Sequence, residues 1–444
     1  MNAEVRPTRT AAEQALVAAF EATKTRLPGG PDFARLRERA LATFADTGLP
    51  HRRIEEWKYT DLRTLLREAA PLAGPPDAAA IARARKFDPL ARADLRRLVL
   101  VNGAFVPELS DLKGLEKGLT IVPLARALAE KHPLARRIAV LKPETPDAAL
   151  ALNTAFLNDG VLIDVGERTL LERPIYVRHV FAGDAAAAFA RTLFIVGTRS
   201  NATLVESFEG PNGIGYQVNS ALEMHVADRA IASLVRLQIE GDAALHLSTL
   251  LAEIGGNAEV STCALTTGAV ISRHSATFRF SGQHSNARLA GATLLRDRQH
   301  ADTTLLVDHA VPDCTSRELF KSVLDETSRG IVQGRIVVRP DAQKTDARMS
   351  LGALLLAEGA EADHKPELEI FADDVQCAHG ATSGAIDAQL LFYLMARGIP
   401  RKQAEALLIQ AFFGEALEQI AHDGVRGALI ARAAGWLTAR ERVS

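Results

Sequence analysis

Apolar positions near the start of the chain recur at helical spacing. Leu16, Phe20, Thr23 and Leu27 share one face, and Pro28-Gly29-Gly30 ends the pattern. Phe33, Leu36, Ala40 and Phe44 line a second predicted helix, which Gly48 and Pro50 stop. An aromatic and charged run, Glu55-Glu56-Trp57-Lys58-Tyr59-Thr60-Asp61-Leu62, leads into another short helix. Residues 69–88 are rich in Ala, Pro and Asp and read as a linker. A strand is predicted over residues 98–106 around Asn102-Gly103, and helical spacing returns over 122–158.

From about residue 160 to 385 the period becomes two. Ala276, Phe278 and Phe280 share one face while Thr277 and Arg279 share the other. Val332, Ile336 and Val338 oppose Gln333 and Arg335 in the same way. Turn signals recur roughly every 8 to 12 residues, a spacing that suits sandwiches, barrels and β-helices. The β-rich stretch is too long for one sandwich, so a stacked solenoid fits best, although no strict hexapeptide or nonapeptide repeat shows. After residue 386 the pattern is helical again. Asp387 is a predicted N-cap, Leu391, Leu394 and Met395 form an apolar stripe, and Gly398 is a stop. Pro400 opens a helix with Ile409, Phe412, Phe413, Ala416 and Ile420 on one face, giving a helical hairpin. The expectation is a mainly β fold in three parts. Residues 1–158 form a mainly helical N-terminal part with its linker near 69–88, residues 159–385 the β core, and residues 386–444 a C-terminal helical part.

Composition narrows the function. The chain has 444 residues, 47% of them hydrophobic, enough for a sizeable core. Lys and Arg number 52 against 54 Asp and Glu, a net charge of -2, so no global field attracts nucleic acid or an anionic membrane. Aromatics are 5%, few for a nucleic-acid stacking platform or a sugar-binding groove. No apolar run reaches the roughly 18 residues of a membrane span. The first thirty residues carry Glu4, Arg6, Arg9, Glu13 and Glu21 with no apolar block, which predicts no secretory signal. Three scattered cysteines, Cys263, Cys314 and Cys377, suit a reduced compartment, and a cytoplasmic location is expected.

The familiar catalytic motifs are missing. The sequence has no P-loop, no G-x-G-x-x-G opening a helix after a strand, no G-x-S-x-G, no C-x-x-C and no H-E-x-x-H. The pair that stands out is Cys377-Ala378-His379. On a strand both outer side chains point the same way, about 7 Å apart. A thiolate and an imidazole suit iron or an iron–sulfur species, but two ligands do not close a site, so others must come from another chain or from the cluster's sulfides. The plain alternative makes Cys377 a small buried hydrophobe and His379 a hydrogen-bonded core residue. Cys263 and Cys314 read as structural, His309 and His364 as solvated loop residues, and Trp57-Lys58-Tyr59 as an anchor for helix docking. The stripe at Ile409, Phe412, Phe413 and Ile420 reads as core or as interface.

Several segments between residues 319 and 413, taken together, resemble the SufB/SufD family of iron–sulfur cluster assembly scaffold proteins. They include Gln343-Lys344-Thr345-Asp346-Ala347, Ala372-Asp373-Asp374-Val375, Cys377-Ala378-His379-Gly380-Ala381-Thr382, Leu391-Phe392-Tyr393-Leu394 and Arg397-Gly398-Ile399. Glu55 to Leu62 resembles the N-terminal signature of the SufD branch, and the absence of any cysteine before Cys263 sets the chain apart from the SufB branch. The resemblance implies a right-handed parallel β-helix between helical N- and C-terminal domains. It implies a heterodimer with SufB, with a homodimer as a further arrangement of the isolated chain. It also implies docking of the ATPase SufC through the C-terminal helices, for which the stripe Ile409, Phe412, Phe413 and Ile420 is the expected surface. A transient Fe–S cluster would form at the SufB interface with His379, and Cys377 beside it, as ligands. The ATP hydrolysis of the complex would belong to SufC, which accounts for the missing P-loop and for a chain that is itself no enzyme. The family complex is also linked to reduced flavin, for which no sequence motif shows. Two other readings remain: a purely structural partner of SufB, and a β-helix carbohydrate-active enzyme, which the lack of an export signal and the scarcity of aromatics disfavour.

Overall fold

The computed structural model describes residues 9–441; residues 1–8 and 442–444 of the two outer segments lie outside the described residues. The β-rich stretch folds as a parallel β-helix built from one ten-stranded and one nine-stranded sheet. From Gly160 onward hydrogen-bonded neighbours are every second strand of the sequence, so the chain alternates between the sheets and advances one rung per circuit. In the ten-stranded sheet successive strands begin at Glu259, Asn286, Thr315, Asp346 and Gln376, so a coil takes 27 to 31 residues. This long, uneven period explains why no short repeat is visible in the sequence.

In-register parallel pairing stacks equivalent side chains into columns, and the alternation predicted from sequence decides which columns face inward. One inner column of the nine-stranded sheet runs Met224, Ala252, Phe278, Val307, Ile336 and Leu368. One of the ten-stranded sheet runs Leu204, Leu234, Thr262, Leu289, Glu318, Met349 and His379. These columns form the central apolar core, which includes Leu204, Leu289, Met349, Phe278 and Ile336. The solenoid also recruits the Arg96–Val101 strand, which turns through Asn102-Gly103 into Ala104–Phe105 and pairs in parallel with Ile175–Val180.

Each sheet has an apolar outer face, and helices from opposite ends of the chain cover the two. The N-terminal helices Ala11–Thr23 and Pro31–Thr47 bury Leu16, Phe20, Leu41 and Phe44 in a cluster with Leu245 and Leu247 of the nine-stranded sheet. At the other end the hairpin expected from sequence is three helices, Ala388–Ala396, Arg401–Leu417 and Asp423–Glu441. The third follows from Val425, Leu429, Ala433 and Trp436, which repeat at helical spacing and pack against the ten-stranded sheet. Asp387 caps the first of these helices as its sequence suggests, accepting from the backbone of Gln389 and Leu390. Within the stretch 69–88 the chain is not a bare linker. Asp77 caps a helix, Ala78–Lys86, that buries Ala80 and Ala84.

The Glu55–Leu62 run is the clamp between the N-terminal region and the solenoid. Trp57 is buried with the Arg273 guanidinium 3.9 Å from its ring centroid. Arg273 pairs with Asp302, which accepts from the Thr60 hydroxyl at 2.5 Å, and donates to the Glu56 carbonyl at 2.6 Å. Lys365, two coils beyond Asp302, pairs with Glu55. Replacing Arg273 with Ala leaves Asp302 buried without its cation and Trp57 without its stacking partner. Arg273→Ala is therefore expected to cost about 3–5 kcal/mol, read by denaturant unfolding, and to expose the 54–62 segment to limited proteolysis. A loss below about 1 kcal/mol, in the range of an exposed pair, would show that this clamp is not what holds the region down.

Candidate functional site

The two sheets end at different strands, and the site lies where the solenoid stops. Gln376–Gly384 is the terminal strand of the ten-stranded sheet and pairs on one side only, with Asp346–Leu355. Glu361–Ile370 is the terminal strand of the nine-stranded sheet and pairs only with Arg329–Val338. Both present an unpaired edge, and Ile370 and Phe371 are exposed there. Pro366 removes one backbone donor from the nine-stranded edge, whereas Gln376–Gly384 contains no proline.

Cys377 and His379 both stand on this last strand. Cys377 is in register with Ala347 and His379 with Met349, and both partners belong to the inner core. The pair therefore shares the inward face, as the two-residue spacing requires. With no further coil to cover it, His379 is exposed, while Cys377 is half-buried against the core. Burial pushes the Cys377 thiol up, with Asp346 and Glu318 adding to the shift and a hydrogen bond involving the Ala347 backbone opposing it. In the free chain Cys377 is thus held as a thiol, and a cation beside it favours the thiolate that binds metal. Among the described residues no three His, Cys, Asp or Glu side chains stand close enough to hold a metal ion together. The donors fit iron in kind but are too few in number.

Two features beside the pair were not singled out from the sequence. Arg288, Arg317 and Arg348 occupy one position on three consecutive strands, and with Ser350, His379 and Gln419 they line an open groove of about 440 Å³. Arg317 and Arg348 share one carboxylate, Asp346, at 2.5 and 3.4 Å. Glu318 lies on the inner face, 2% exposed, with neither carboxylate oxygen hydrogen-bonded. Burial pushes its pKa up to about 8, partly offset by Ser316. The signal for both features is the coil length. The arginines recur after 29 and 31 residues, and Glu318 falls in register with Leu289 and Met349.

Other expected residues lie elsewhere. The stripe expected to dock the ATPase is turned inward: Ile409, Phe413 and Ile420 are buried in a cluster with Val235, Leu265, Ala292 and Val323 of the ten-stranded sheet. Phe412 is half-buried, with the Lys321 ammonium 4.8 Å from its ring centroid. As a free docking surface the stripe is corrected, because the sheet's own apolar outer face takes it up. The exposed apolar side chains of this region are Leu390, Phe392, Tyr393, Met395 and Leu407, and Phe392 is 73% exposed. His309 is not a solvated loop residue. It ends the His300–His309 strand fully buried, its Nε2 3.0 Å from the Ser316 hydroxyl, and burial lowers its pKa to about 4. His364 is likewise in a strand and half-buried. Cys263 and Cys314 are buried, and each thiol donates to backbone carbonyls, Cys263 to Ala416 and Cys314 to Gly282 and Pro312.

Comparison with known proteins agrees with this architecture. Residues 179–412 match the model described as SUF system FeS cluster assembly, SufBD core domain, and residues 12–177 match the SufBD protein N-terminal region. The chain is 30% identical over 396 residues to the iron–sulfur cluster assembly protein SufD of Escherichia coli, covering 87% of this chain and 89% of that one. It is 29% identical over 405 residues to an iron–sulfur cluster assembly SufBD family protein of Synechocystis, with 88% of each chain covered. A chloroplastic protein of Arabidopsis thaliana, ABCI7, is 27% identical over 407 residues, covering 88% of this chain and 83% of that one. With both family regions matched in order along a parallel β-helix, this chain belongs to the SufBD family of iron–sulfur cluster assembly proteins.

Proposed function

We propose that this chain is a scaffold subunit, not an enzyme, that pairs with SufB at the open end of its solenoid and presents His379, with Cys377 beside it, to a nascent Fe–S cluster. The observation that carries the reading is the placement of the pair. It stands on an unpaired edge strand, inward-facing yet uncovered, with two donors where a closed site needs about four. A partner strand added to that edge would satisfy its backbone and bring the missing donors in the same step. Iron and sulfide are cargo here, and the partner supplies the remaining ligands. The exposed Ile370 and Phe371 at the same end suit burial in such an interface. The net charge and the three free cysteines suit a cytoplasmic, reduced setting, and no helix among the described residues is long and apolar enough to cross a membrane.

The ATPase SufC is proposed to dock on the C-terminal helices, with the apolar residues divided between two tasks. Ile409, Phe413 and Ile420 hold the helices to the sheet, with Phe412 at the margin, and Leu390, Phe392, Tyr393 and Met395 offer the outward face. ATP hydrolysis then belongs to SufC. A SufB partner role without a ligand is the second reading, favoured by the packing of Cys377 against the apolar core.

His379→Ala separates the two readings. The side chain is exposed, so thermal and denaturant stability should stay within about 0.5 kcal/mol of wild type. Iron and acid-labile sulfide per purified complex with SufB should fall steeply, with pairing intact. Normal cluster content in the variant complex would leave the chain a purely structural partner.

The division of apolar residues predicts opposite outcomes for two aromatic changes. Phe392→Ser with Tyr393→Ser should weaken SufC binding, measured by calorimetric titration, without moving the melting point. Phe413→Ala should cost about 3–5 kcal/mol of stability through the cavity it leaves. Undiminished SufC affinity in the double variant would move the docking surface elsewhere.

A further inference from the structure

Three arginines stand in one outward column near the end of the solenoid. Arg288, Arg317 and Arg348 are in register on consecutive strands, and Ala378 of the last strand continues the column. They lie two residues before Ala290, Leu319 and Ser350, so all share the outer face, where Ala290 and Leu319 pack with the C-terminal helices. Cys377 and His379 point to the opposite face of the same terminal strand. Further back the column is uncharged. Ser233 and Ser261 hold it, with their hydroxyls 2.8 Å apart.

Strand spacing puts neighbouring arginines about 5 Å apart at Cα, and like charges that close repel. One carboxylate, Asp346, serves two of them, at 2.5 Å from Arg317 and 3.4 Å from Arg348. Arg317 also donates to the Ser316 and Asp346 carbonyls, both at 2.8 Å. Among the described residues the exposed Arg348 side chain has no other ion pair or hydrogen bond, and the exposed Arg288 side chain has none. The row thus sets three positive charges against one negative. With Ser350, Gly380 and Gln419 it lines an open groove of about 440 Å³. Glu318, the one acid among the lining residues, points inward, in register with Leu289 and Met349. A Cβ added at Gly380 would meet nothing within 4 Å, so the groove is open at its far end.

The form of the groove selects its occupant. No aromatic side chain lines it, so a base or other flat ring finds nothing to stack on. An extended polypeptide laid along the column places alternate side chains on one face, about 7 Å apart. Two acidic residues at that spacing match the roughly 10 Å between the Arg288 and Arg348 Cα atoms, each within reach of a guanidinium fork. We propose that this row is a docking groove for an extended acidic segment of a partner protein, whose carboxylates pair with Arg288 and Arg348 while Asp346 holds Arg317 in place. Asp346 is then an internal competitor of the incoming acids as well as a fixing group.

The test is fluorescence anisotropy of a dye-labelled peptide of alternating glutamate and serine, titrated with the isolated full chain at low salt. Arg288→Gln combined with Arg348→Gln should bind the peptide about tenfold more weakly than wild type. Asp346→Asn should bind it about threefold more tightly, because the competing carboxylate is gone. Ser350→Glu, which sets an acid in the groove at an exposed position, should abolish binding with the melting point unchanged. Arg168→Gln with Arg199→Gln removes the same charge from exposed arginines on distant coils and should bind as wild type does. Wild-type affinity in the Arg288 and Arg348 double variant overturns the proposal, as does an equal loss in the Arg168 and Arg199 pair. A wild-type chain that binds tripolyphosphate but not the peptide has a small-anion site, which overturns it too. The cluster reading stands or falls separately, through His379→Ala on the other face of the strand.

Discussion

In-register parallel pairing governs this molecule. Each coil of the solenoid satisfies its backbone and buries its inner side chains by lying on the coil before it. That arrangement has no natural last member. The final coil is satisfied on one side only, so its edge groups and inward side chains stay open until something else is added. Cys377 and His379 occupy this coil, at positions whose equivalents in earlier coils are Ala347 and Met349, both buried. The same geometry that makes the core elsewhere leaves His379 exposed and Cys377 only half-buried here. On the proposed reading, placing donors on the unfinished coil couples ligand supply to partner pairing.

The outer faces impose a second requirement, and it sets what the terminal helices are free to do. An apolar outer face left bare would invite association. The N-terminal helices cover one sheet through Leu16, Phe20 and Phe44, and the C-terminal helices cover the other through Ile409, Phe413, Leu429 and Trp436. The most apolar stripe of the C-terminal region is therefore consumed within the chain. What remains for a partner is the short helix Ala388–Ala396, which directly follows the last strand and buries Leu391 alone. Its position next to the open end keeps the two proposed partner surfaces close in sequence.

The sequence made the strands legible because they alternate: Ala276, Phe278 and Phe280 are buried and Arg279 is exposed, as the period of two demands. It made the placement of the candidate pair legible, since Cys377-Ala378-His379 on a strand has one geometry. The stacking period was hidden, because coils of 27 to 31 residues with uneven corners leave no repeat that the eye finds. Glu318 and the Arg288, Arg317 and Arg348 row were missed for that reason. A column is visible only when the register is known. Local polarity misplaced His309, whose flanking Asp308 and Pro312 suggest a loop although the ring faces the core. The stripe at Ile409, Phe413 and Ile420 was recognised as apolar, but a single chain's pattern does not say which surface a stripe meets.

Polar groups inside the solenoid show how different Glu318 is. Earlier in the chain Glu206 has the Arg236 guanidinium at 3.3 Å, Arg236 donates to Ser248 at 3.2 Å, and Ser248 lies 2.8 Å from His274. Glu240 has His246 at 2.5 Å. Buried charge is tolerated there because each acid faces a cation or donor of its own. A stability argument accounts for those groups without any ligand. Glu318 is held less well: the Ser316 hydroxyl and the Arg317 charge offset its burial only in part, and it lies two coils from the open end. An acid in that position lowers the stability of the free chain, since burial disfavours its charged form more than its neighbours favour it.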